Sequence, residues 1–302
     1  MLQSAALSGK KALKPRKKVT CKIKALYCFM NISITKGKGF VMQKIVSWNV
    51  ASLRARMPLL EAFLEKEQPD LLLLQEVKME TEKFPVLDFQ SKGYHALASG
   101  QKSWNGVAVL SRTPIQLVQS ALPGFEDQAR FIEVTTANGL HVISVYVPNG
   151  TAPANNPEDT SRLSYKLEWM DALTVHVQSL IDRQIPFVLG GDFNVIYQDG
   201  DVYNPELFWD SALMVQPVRD KLTRLLNTGV FHALRHFHPN DGFYTFWDFQ
   251  GGAWQRNNGI FLDALYVSPM LAAHVTQADV MKAWRGEPKP SDHAPVYCTL
   301  TI

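Results

Sequence analysis

The sequence predicts an α/β protein in which two packed β-sheets lie between outer layers of helices. Short apolar runs rich in Val, Ile, Leu and aromatic residues recur from Lys44 to the C-terminus, and stretches of helical periodicity separate several of them. With 302 residues, 46% of them hydrophobic, the chain can bury a large core. The runs are numerous enough for two sheets, so we expect one continuous domain over residues 42–302.

The predicted strands are short runs enriched in β-branched and aromatic side chains. In chain order these runs are KIVSWNV, DLLLLQEV, NGVAVLSR, RFIEVTT, LHVISVYVP, PFVLGGDF, GIFLDALYVS and PVYCTLTI. Three other stretches place apolar residues three and four positions apart, which predicts helices. These helices cover residues 60–67, 163–181 and 218–226, the last opened by Pro217 and closed by Gly229.

Two long segments, VPNGTAPANNPEDTS and YQDGDVYNPELFWDSALMVQP, are predicted as loops because they are rich in turn-forming residues and show little periodicity. Loops of this length inside a compact domain are more often functional than idle.

The first 41 residues form a basic extension with nine Lys, one Arg and no acidic residue. Without these ten cations, 21 basic residues face 28 acidic ones, so the remaining chain carries a net charge of −7. The overall charge therefore does not indicate a nucleic-acid role. The extension could be a basic nucleic-acid arm, a transit-like peptide, or upstream sequence before a true start at Met42. We expect it to be disordered or mis-assigned.

Composition also bears on the membrane and on redox chemistry. No stretch approaches the roughly 20 consecutive apolar residues that a membrane-spanning helix needs. The three cysteines, Cys21, Cys28 and Cys298, are odd in number and show no metal-like pairing. This favours a reducing compartment over a disulfide framework.

Polar residues follow or precede several of the predicted strands. In layered α/β folds, binding sites form where side chains from the ends of separate strands converge. The sequence therefore predicts one converging polar site. Its members are Asn49, Glu76, Tyr146, Asp192, Asn194, Asp292 and His293.

Each of these residues also has a structural interpretation. Asn49 could satisfy its own backbone in a turn, Glu76 could pair with Lys78, and Tyr146 could be a packed strand aromatic. GGDFNV could form an Asx turn and SDHAP a capped turn. The histidines of FHALRHFHPND are predicted to lie at a solvated helix end, because no Glu or Cys completes a zinc ligand set.

Taken jointly, the set offers carboxylate and amide groups with a single His and no Cys. Such donors suit a hard divalent cation, Mg²⁺ or Mn²⁺, rather than Zn²⁺. Magnesium sites with few protein ligands usually complete their coordination with water and substrate phosphate. Phosphoester hydrolysis is the reaction class that these groups fit.

One further carboxylate needs a partner. GIFLDALYVS reads as a buried strand in which Asp263 is the one charged residue. An ionised carboxylate in apolar surroundings costs several kcal/mol unless another group pairs with it.

The ordered series VSWNVASLRAR, LLLLQEVK, NGVAVLSR, VYVPNG, GGDFNV, YTFWDFQGGAWQRNNG, LDALYVSP and KPSDHAPV resembles the exonuclease III and apurinic/apyrimidinic endonuclease family. This family belongs to the broader metal-dependent endonuclease/exonuclease/phosphatase superfamily, and the resemblance runs from about Met42 to the C-terminus. SDHAP or GDFN alone would fit the whole superfamily, whereas SLRAR, YVPNG and YTFWDF indicate the DNA-repair branch. The implied fold is the four-layered, DNase I-like sandwich of two mixed sheets flanked by helices.

The resemblance implies a role for each matching residue. Glu76 would hold the metal with Asn49 and Asp292 near it, and Asp192 would orient or deprotonate the attacking water. Asn194 and His293 would stabilise the phosphorane-like transition state, Tyr146 would contact the phosphate or leaving group, and Asp263 would be the partner of the histidine. The implied metal-site residues are Asn49, Glu76, Asp192, Asn194, Asp292 and His293. The implied substrate contacts are Arg54, Asn149, Phe246, Ile260 and Leu262. The last three of these would line a pocket for a flipped-out abasic sugar.

Three positions depart from the family pattern. Phe261 stands where the family commonly has Arg, and Ala51 and Ser52 replace the usual Asn or Asp and Gly. We expect the first change to remove a cation near the substrate or a structural pair, and the second to remove a water-mediated metal ligand.

The resemblance implies a Mg²⁺-dependent (or Mn²⁺-dependent) DNA repair nuclease that removes nucleotides from 3′ ends and nicks 5′ to abasic sites. Its implied partner is double-stranded DNA, and we expect a cytoplasmic monomer without membrane contact. Two alternatives stay open at this point. One is a phosphodiesterase or phosphatase acting on a non-DNA phosphoester, and the other is a catalytically weakened DNA-binding relative.

Overall fold

The computed structural model describes residues 42–301, so the basic extension predicted over residues 1–41 lies outside the described residues. The strands are β1 (Met42–Asn49), β2 (Leu71–Gln75), β3 (His95–Ser99), β4 (Val107–Ser111), β5 (Ile115–Gln119), β6 (Phe131–Thr136), β7 (His141–Tyr146), β8 (Phe187–Asp192), β9 (Phe231–His232), β10 (Asp263–Val267), β11 (Val275–Val280) and β12 (Val296–Thr301). The α-helices are α1 (Leu53–Glu67), α2 (Val86–Ser91), α3 (Ser161–Asp182), α4 (Gln216–Asn227), α5 (Ala233–Phe237) and α6 (Ala253–Arg256).

The strands form two six-stranded sheets, as predicted. The first has the order β11-β12-β1-β2-β4-β3, and the second has the order β5-β6-β7-β8-β10-β9. β1 pairs with β2, and β7 with β8, in parallel, whereas the other pairs are antiparallel. Both sheets are therefore mixed, which confirms the predicted fold class.

The two sheets pack face to face, and alternation along each strand assigns every side chain to a layer. In β1, Ile45 points into the apolar core between the sheets, while Trp48 packs outward with residues of α1. In β10, Leu265 points into the central core, while Tyr266 packs outward with residues of α3 and α4. The result is four layers in the order helix, sheet, sheet, helix.

Most predicted elements are present, with one correction and several omissions. The predicted helices correspond to α1, α3 and α4. The predicted strand GIFLDALYVS is wrong in its first half, because β10 begins at Asp263 and Ile260 instead forms isolated bridges with Val202 and Phe246. The strands β3, β5, β9 and β11 were not predicted. They are the edge strands of the two sheets and most of their residues are exposed or half-buried, so their apolar pattern is weak.

The histidines of FHALRHFHPND only partly match the prediction of a solvated helix end. His236 is exposed on α5, but His232 accepts a hydrogen bond from the backbone N–H of Arg235 and packs against the Tyr266 ring, 4.6 Å between centroids. None of the helices in residues 42–301 is long and apolar enough to cross a membrane.

Candidate active site

The candidate site lies at one end of the interface between the two sheets. Asn49 is the last residue of β1, and Asp192 is the last residue of β8. Across the second sheet, Asp192 pairs in register with Tyr146 of β7 on one side and with Asp263 of β10 on the other. Strand pairing therefore brings residues from distant parts of the sequence into one row.

Asp263 meets His293 directly. The carboxylate oxygen Oδ2 of Asp263 lies 2.7 Å from Nδ1 of His293, so the contact expected from the resemblance is present. The hydroxyl of Thr245 donates to the same oxygen at 2.7 Å and accepts the backbone N–H groups of Leu262 and Asp263. Because Asp263 is fully buried and held from two sides, it fixes the orientation of the imidazole.

The other ring nitrogen of His293 faces Asp192. Nε2 lies 3.6 Å from Oδ2 of Asp192, and both side chains are almost completely buried. Burial lowers the pKa of His293, but the charges of Asp263 and Asp192 outweigh it and raise the pKa to about 10. Burial also raises the pKa of Asp192 to about 7, although the charge of His293 opposes the rise. The site thus holds an imidazolium beside a carboxylate that titrates near neutral pH.

Asn49 joins the two carboxylates of the site. Its side-chain amide donates to Oε1 of Glu76 and to Oδ2 of Asp192, both at 2.9 Å. Its own Oδ1 accepts the backbone N–H of Ala51 at 3.0 Å, which is the turn considered as the structural interpretation. Asn49 therefore both stabilises its own turn and contacts the two carboxylates of the site.

The ion pair considered for Glu76 is also present. Nζ of Lys78 lies 2.7 Å from Oε2 of Glu76, and both side chains are largely buried. Burial raises the pKa of Glu76, but the hydrogen bonds from Asn49 and Lys78 outweigh this and lower it overall. Glu76 is therefore an ionised carboxylate with one partner at each oxygen, Asn49 at Oε1 and Lys78 at Oε2.

Tyr146 lies at the rim of a cleft with a volume of about 860 Å³. The guanidinium of Arg130 stacks over its ring, 4.8 Å from the ring centroid. Burial and the charges of Glu76 and Asp192 hold the pKa of Tyr146 well above its usual value, so the phenol stays protonated. Arg162 and the exposed Trp104 also line this cleft.

Asn194 and Asn149 are linked below this cleft. The backbone N–H of Asn194 donates to Oδ1 of Asp192 at 2.9 Å, which is the Asx turn considered for GGDFNV. The amide of Asn194 donates to the carbonyl of Val147 at 2.9 Å, and the amide of Asn149 donates to Oδ1 of Asn194 at 3.3 Å. Both asparagine side chains are thereby anchored at the ends of β7 and β8.

The three residues predicted to line an apolar pocket come together with Ile196, Val202 and Met214. Phe246 packs edge-on against the ring of His293, with 4.9 Å between centroids. Ile260 and Leu262 are each only 5% exposed, so this cluster borders the site as a largely buried surface.

Two predicted residues lie apart from these contacts. Arg54 is exposed on the first turn of α1. Its neighbour Arg56 instead donates to the carbonyl of Pro290 and so contacts the KPSDHAPV motif. Asp292 is half-buried, and its Oδ1 accepts a hydrogen bond from Ser291, as expected for the capped turn of SDHAP.

The departures from the family pattern have local consequences. Phe261 is buried, and the guanidinium of Arg235 stacks over its ring at 4.8 Å while pairing with Asp201. A cation from α5 therefore lies against Phe261, while the expected loss of a cation near the substrate or of a structural pair stays a prediction. Ala51 and Ser52 have φ angles of 47° and 102°, in the left-handed region that glycine and asparagine adopt more readily.

The donor set fits a hard divalent cation only in part. Within residues 42–301, no three His, Cys, Asp or Glu side chains are arranged as ligands of one ion. The six-residue ligand set is therefore not assembled as a single cage, because Nδ1 of His293 faces Asp263 and Asn49 presents its amide nitrogen to both carboxylates. Glu76 and Asp192, bridged by that amide, do offer the one or two carboxylates that Mg²⁺ usually takes from a protein.

Sequence reasoning missed the cations of this region. Lys78, Arg130, Lys166 and Arg235 each contact a residue of the site or a residue next to it. Lys78 was named only as an ion-pair alternative, and no motif marked the other three. Their contacts join segments that lie far apart in the sequence.

Comparison with known proteins gives consistent matches over this region. A model of the "Endonuclease/Exonuclease/phosphatase family" matches residues 46–293. An exodeoxyribonuclease of Bacillus subtilis is 30% identical over 265 residues, covering 86% of this chain and 100% of that protein. An AP endonuclease structure from Archaeoglobus fulgidus aligns with a TM-score of 0.80 and 34% identity, over 86% of this chain and 100% of the other. A 3′-5′ exonuclease structure from Neisseria meningitidis aligns with a TM-score of 0.78 and 38% identity, over the same shares.

Proposed function

The chain belongs to the Endonuclease/Exonuclease/phosphatase family, and we propose that it is a DNA repair nuclease. It hydrolyses phosphodiester bonds at DNA 3′ ends and 5′ to abasic sites, with Mg²⁺ or Mn²⁺. The observation that supports this most strongly is the buried row Asp263, His293 and Asp192, in which an oriented imidazole faces a carboxylate.

In this mechanism Asp192 accepts the proton of the attacking water. Burial raises the pKa of Asp192 above its ordinary value, which makes the carboxylate a better proton acceptor. The imidazole of His293 and the backbone N–H of Asn194 contact the two carboxylate oxygens of Asp192. In this proposal His293 and Asn194 stabilise the negative charge that develops on the phosphoryl oxygens. Asp263 keeps the imidazole oriented and charged throughout.

Glu76, with Asn49 and Asp192 beside it, would hold the divalent cation. When bound, the cation would polarise a phosphoryl oxygen and neutralise charge in the transition state. The resemblance adds Asp292 to this proposed set, and its half-buried carboxylate is close enough to help raise the pKa of His293.

The rest of the site contacts the substrate in this proposal. Tyr146 keeps its proton and donates it in a hydrogen bond to the phosphate or leaving group, with Asn149 beside it on the cleft. Arg54 is exposed and contacts the DNA backbone. Phe246, Ile260 and Leu262 form the apolar surface against which a flipped-out abasic sugar packs.

The names of the similar proteins favour DNA over other phosphoesters, since they describe an exodeoxyribonuclease, an AP endonuclease and a 3′-5′ exonuclease. In our proposal the partner is therefore double-stranded DNA with abasic sites or 3′ ends. We further propose that the protein acts as a cytoplasmic monomer.

Two duplex substrates test the proposal. One carries a recessed 3′ end and the other a single abasic site, and each is incubated with Mg²⁺, with Mn²⁺ or with EDTA. We expect shortening of the first and a nick 5′ to the lesion in the second, both abolished by EDTA. If neither duplex is cleaved while a small phosphoester is hydrolysed, the non-DNA alternative replaces the proposal.

A further inference from the structure

A lysine lies fully buried beneath the candidate site. Lys166 belongs to α3, its exposed fraction is 0%, and neighbouring buried residues of the helix such as Trp169 and Met170 are apolar. A lysine side chain is almost never fully buried unless its charge is compensated by partners. We therefore expect hydrogen-bond acceptors around its amine.

The ammonium group of Lys166 has three carbonyl partners. Nζ donates to the backbone oxygen of Asn194 at 2.6 Å, of Ala212 at 2.7 Å and of Asn149 at 3.1 Å. Burial lowers the pKa of Lys166 to about 7. In its protonated form the amine has three N–H donors and no acceptor, so the three carbonyls use its hydrogen-bonding capacity fully. The three carbonyls come from three separate segments, which follow β7, follow β8 and precede α4. One side chain thus ties three loops together.

Two of these loops carry residues of the candidate site. Asn194 has a φ of 50°, and its backbone N–H donates to Asp192 while its side chain binds Val147 and Asn149. The peptide oxygen bound by Lys166 and the N–H bound to Asp192 belong to the same residue. Movement of this carbonyl would therefore move Asn194 relative to the proposed base.

The chain leaves no free space around the lysine at this point. A Cβ atom added to Gly150 would lie 2.8 Å from Cδ of Lys166 and 3.3 Å from Cβ of Ala212. The absence of a side chain at Gly150 thus allows the loop after Asn149 to pass directly over the lysine stem.

We propose that Lys166 is a positioning residue for the reaction, which holds the backbones of Asn149 and Asn194 in the geometry that hydrolysis requires. The inference rests on the proposed nuclease function. Lys166 acts through these two residues and through Asp192 rather than on the substrate, so its loss lowers turnover more than substrate binding.

The main test replaces Lys166 with Met, which keeps the length of the side chain and removes all three donors. With the abasic-site duplex, we expect kcat of K166M to fall about 10²-fold, because a small misplacement of reacting groups costs this much, while KM stays close to the wild-type value. The matched control is L173A, which truncates a buried leucine two turns further along the same helix. Urea unfolding of both variants gives their stabilities.

We expect L173A to lose stability and to keep the wild-type kcat per folded molecule. If K166M keeps the wild-type kcat, or if L173A loses as much turnover as K166M, the proposal is wrong. Each rate is normalised to the folded fraction, so a general loss of folding is separated from misplacement.

A second pair of variants carries the test if K166M does not fold. G150A places a methyl group against the lysine stem, whereas G93A has a similar φ, 82° compared with 83°, and open space around the added atom. The two glycines have nearly the same φ, so the difference between the variants reports the collision with Lys166 and, at a longer distance, with Ala212. We expect only G150A to lower kcat, and equal turnover of the two variants would contradict the proposal.

Hydrogen exchange separates this inference from the nuclease function itself. In K166M, the amides of residues 149–151 and 193–196 should exchange faster, while the middle of α3 stays protected. If the wild-type protein cleaves no DNA, the nuclease proposal fails, and the exchange pattern still decides whether Lys166 holds these loops. Unchanged exchange in both segments would refute the role of Lys166.

Discussion

The second sheet carries a buried carboxylate–histidine cluster on each of its faces. On the inner face, Asp263 contacts His293 at 2.7 Å. On the outer face, Glu133 of β6 lies 2.5 Å from Nδ1 of His141 and 2.9 Å from Nε2 of His176. The two clusters contain the same kinds of side chain, yet only the inner one meets a further reactive group.

The difference lies in what each imidazole faces. His293 uses Nδ1 for Asp263 and points Nε2 toward Asp192, so the carboxylate organises a ring whose second nitrogen remains directed at the site. Glu133 instead offers one oxygen to each of two imidazoles and closes the outer cluster on itself, between β7 and α3. The inner cluster alone of the two directs a ring nitrogen at a further carboxylate, which is why our proposal places the chemistry there.

The pKa shifts of the two clusters run in opposite directions. Two nearby carboxylates raise the pKa of His293 to about 10, although burial alone would lower it. Burial raises the pKa of Glu133, but its contacts with His176 and His141 outweigh this and lower it. Both shifts favour the charged form, the imidazolium of His293 in the inner cluster and the carboxylate of Glu133 in the outer cluster.

The largest effect on turnover is expected at the residue that His293 faces. D192N removes the group that accepts the proton of water, so we expect kcat on the abasic-site duplex to fall about 10²- to 10⁴-fold. DNA affinity, measured by fluorescence anisotropy in EDTA, should remain largely intact. Wild-type turnover of D192N would show that Asp192 is not the base.

The next largest effect is expected at the inner carboxylate. D263N removes the charge that raises the pKa of His293, so kcat should fall about tenfold to a hundredfold. In our proposal His293 acts in its protonated form. A lower pKa of His293 in D263N therefore shifts the alkaline limb of the pH profile of kcat to lower pH. A pH profile of kcat measures this shift. If the alkaline limb of the D263N profile stays at the wild-type pH, Asp263 does not control the protonation of His293.

At the outer cluster we expect a substitution to change stability and not turnover. E133Q should leave kcat unchanged and lower the free energy of unfolding by about 1–3 kcal/mol, because two imidazoles lose a charged acceptor. The folded pKa of Glu133 is depressed, so its contribution to stability is full above its ordinary value of 4.5 and is lost as pH falls through the folded pKa. The stability difference between wild type and E133Q, from urea unfolding, should therefore shrink on acidification. A large loss of kcat would break the comparison.

The smallest effect, on stability, is expected at Ser52 in the motif VSWNVASLRAR. Ser52 has a φ of 102°, which glycine adopts without strain, so S52G should raise the free energy of unfolding by about 1 kcal/mol. Ser120 is not among the residues with positive φ, and S120G serves as a control that should be neutral or destabilising. Thermal unfolding of both variants checks the sign, and stabilisation by S120G alone would contradict it.

The sequence predicted the inner cluster and not the outer one, for a physical reason. Asp263 stood out because it is the one charged residue in an apolar run, and the family resemblance implied the histidine of SDHAP as its partner. Glu133 lies in RFIEVTT, where alternation allows an exposed side chain, and nothing in the sequence indicated that α3 covers this face. Local patterns predict which strand ends carry chemistry, whereas contacts between faces and layers depend on packing.

The dependence of such contacts on packing also explains the other differences between the predicted and the observed structure. The central strands are apolar on both faces and were predicted, whereas the strands near the sheet edges were missed. The cation that stacks on Phe261 comes from Arg235, and the cation beneath Asn194 comes from Lys166. Both contacts join segments about thirty positions apart, so no local motif could reveal them.

The central claim is that Asp263 keeps the imidazole of His293 charged beside Asp192. An NMR titration of the His293 ring nitrogens tests it most directly, in wild type and in D263N. In the wild-type protein we expect both nitrogens to stay protonated throughout the neutral range, with a pKa far above the ordinary value of 6.5, and in D263N we expect the pKa to fall. A wild-type His293 that titrates near 6.5, or one that Asp263 does not affect, would contradict the account.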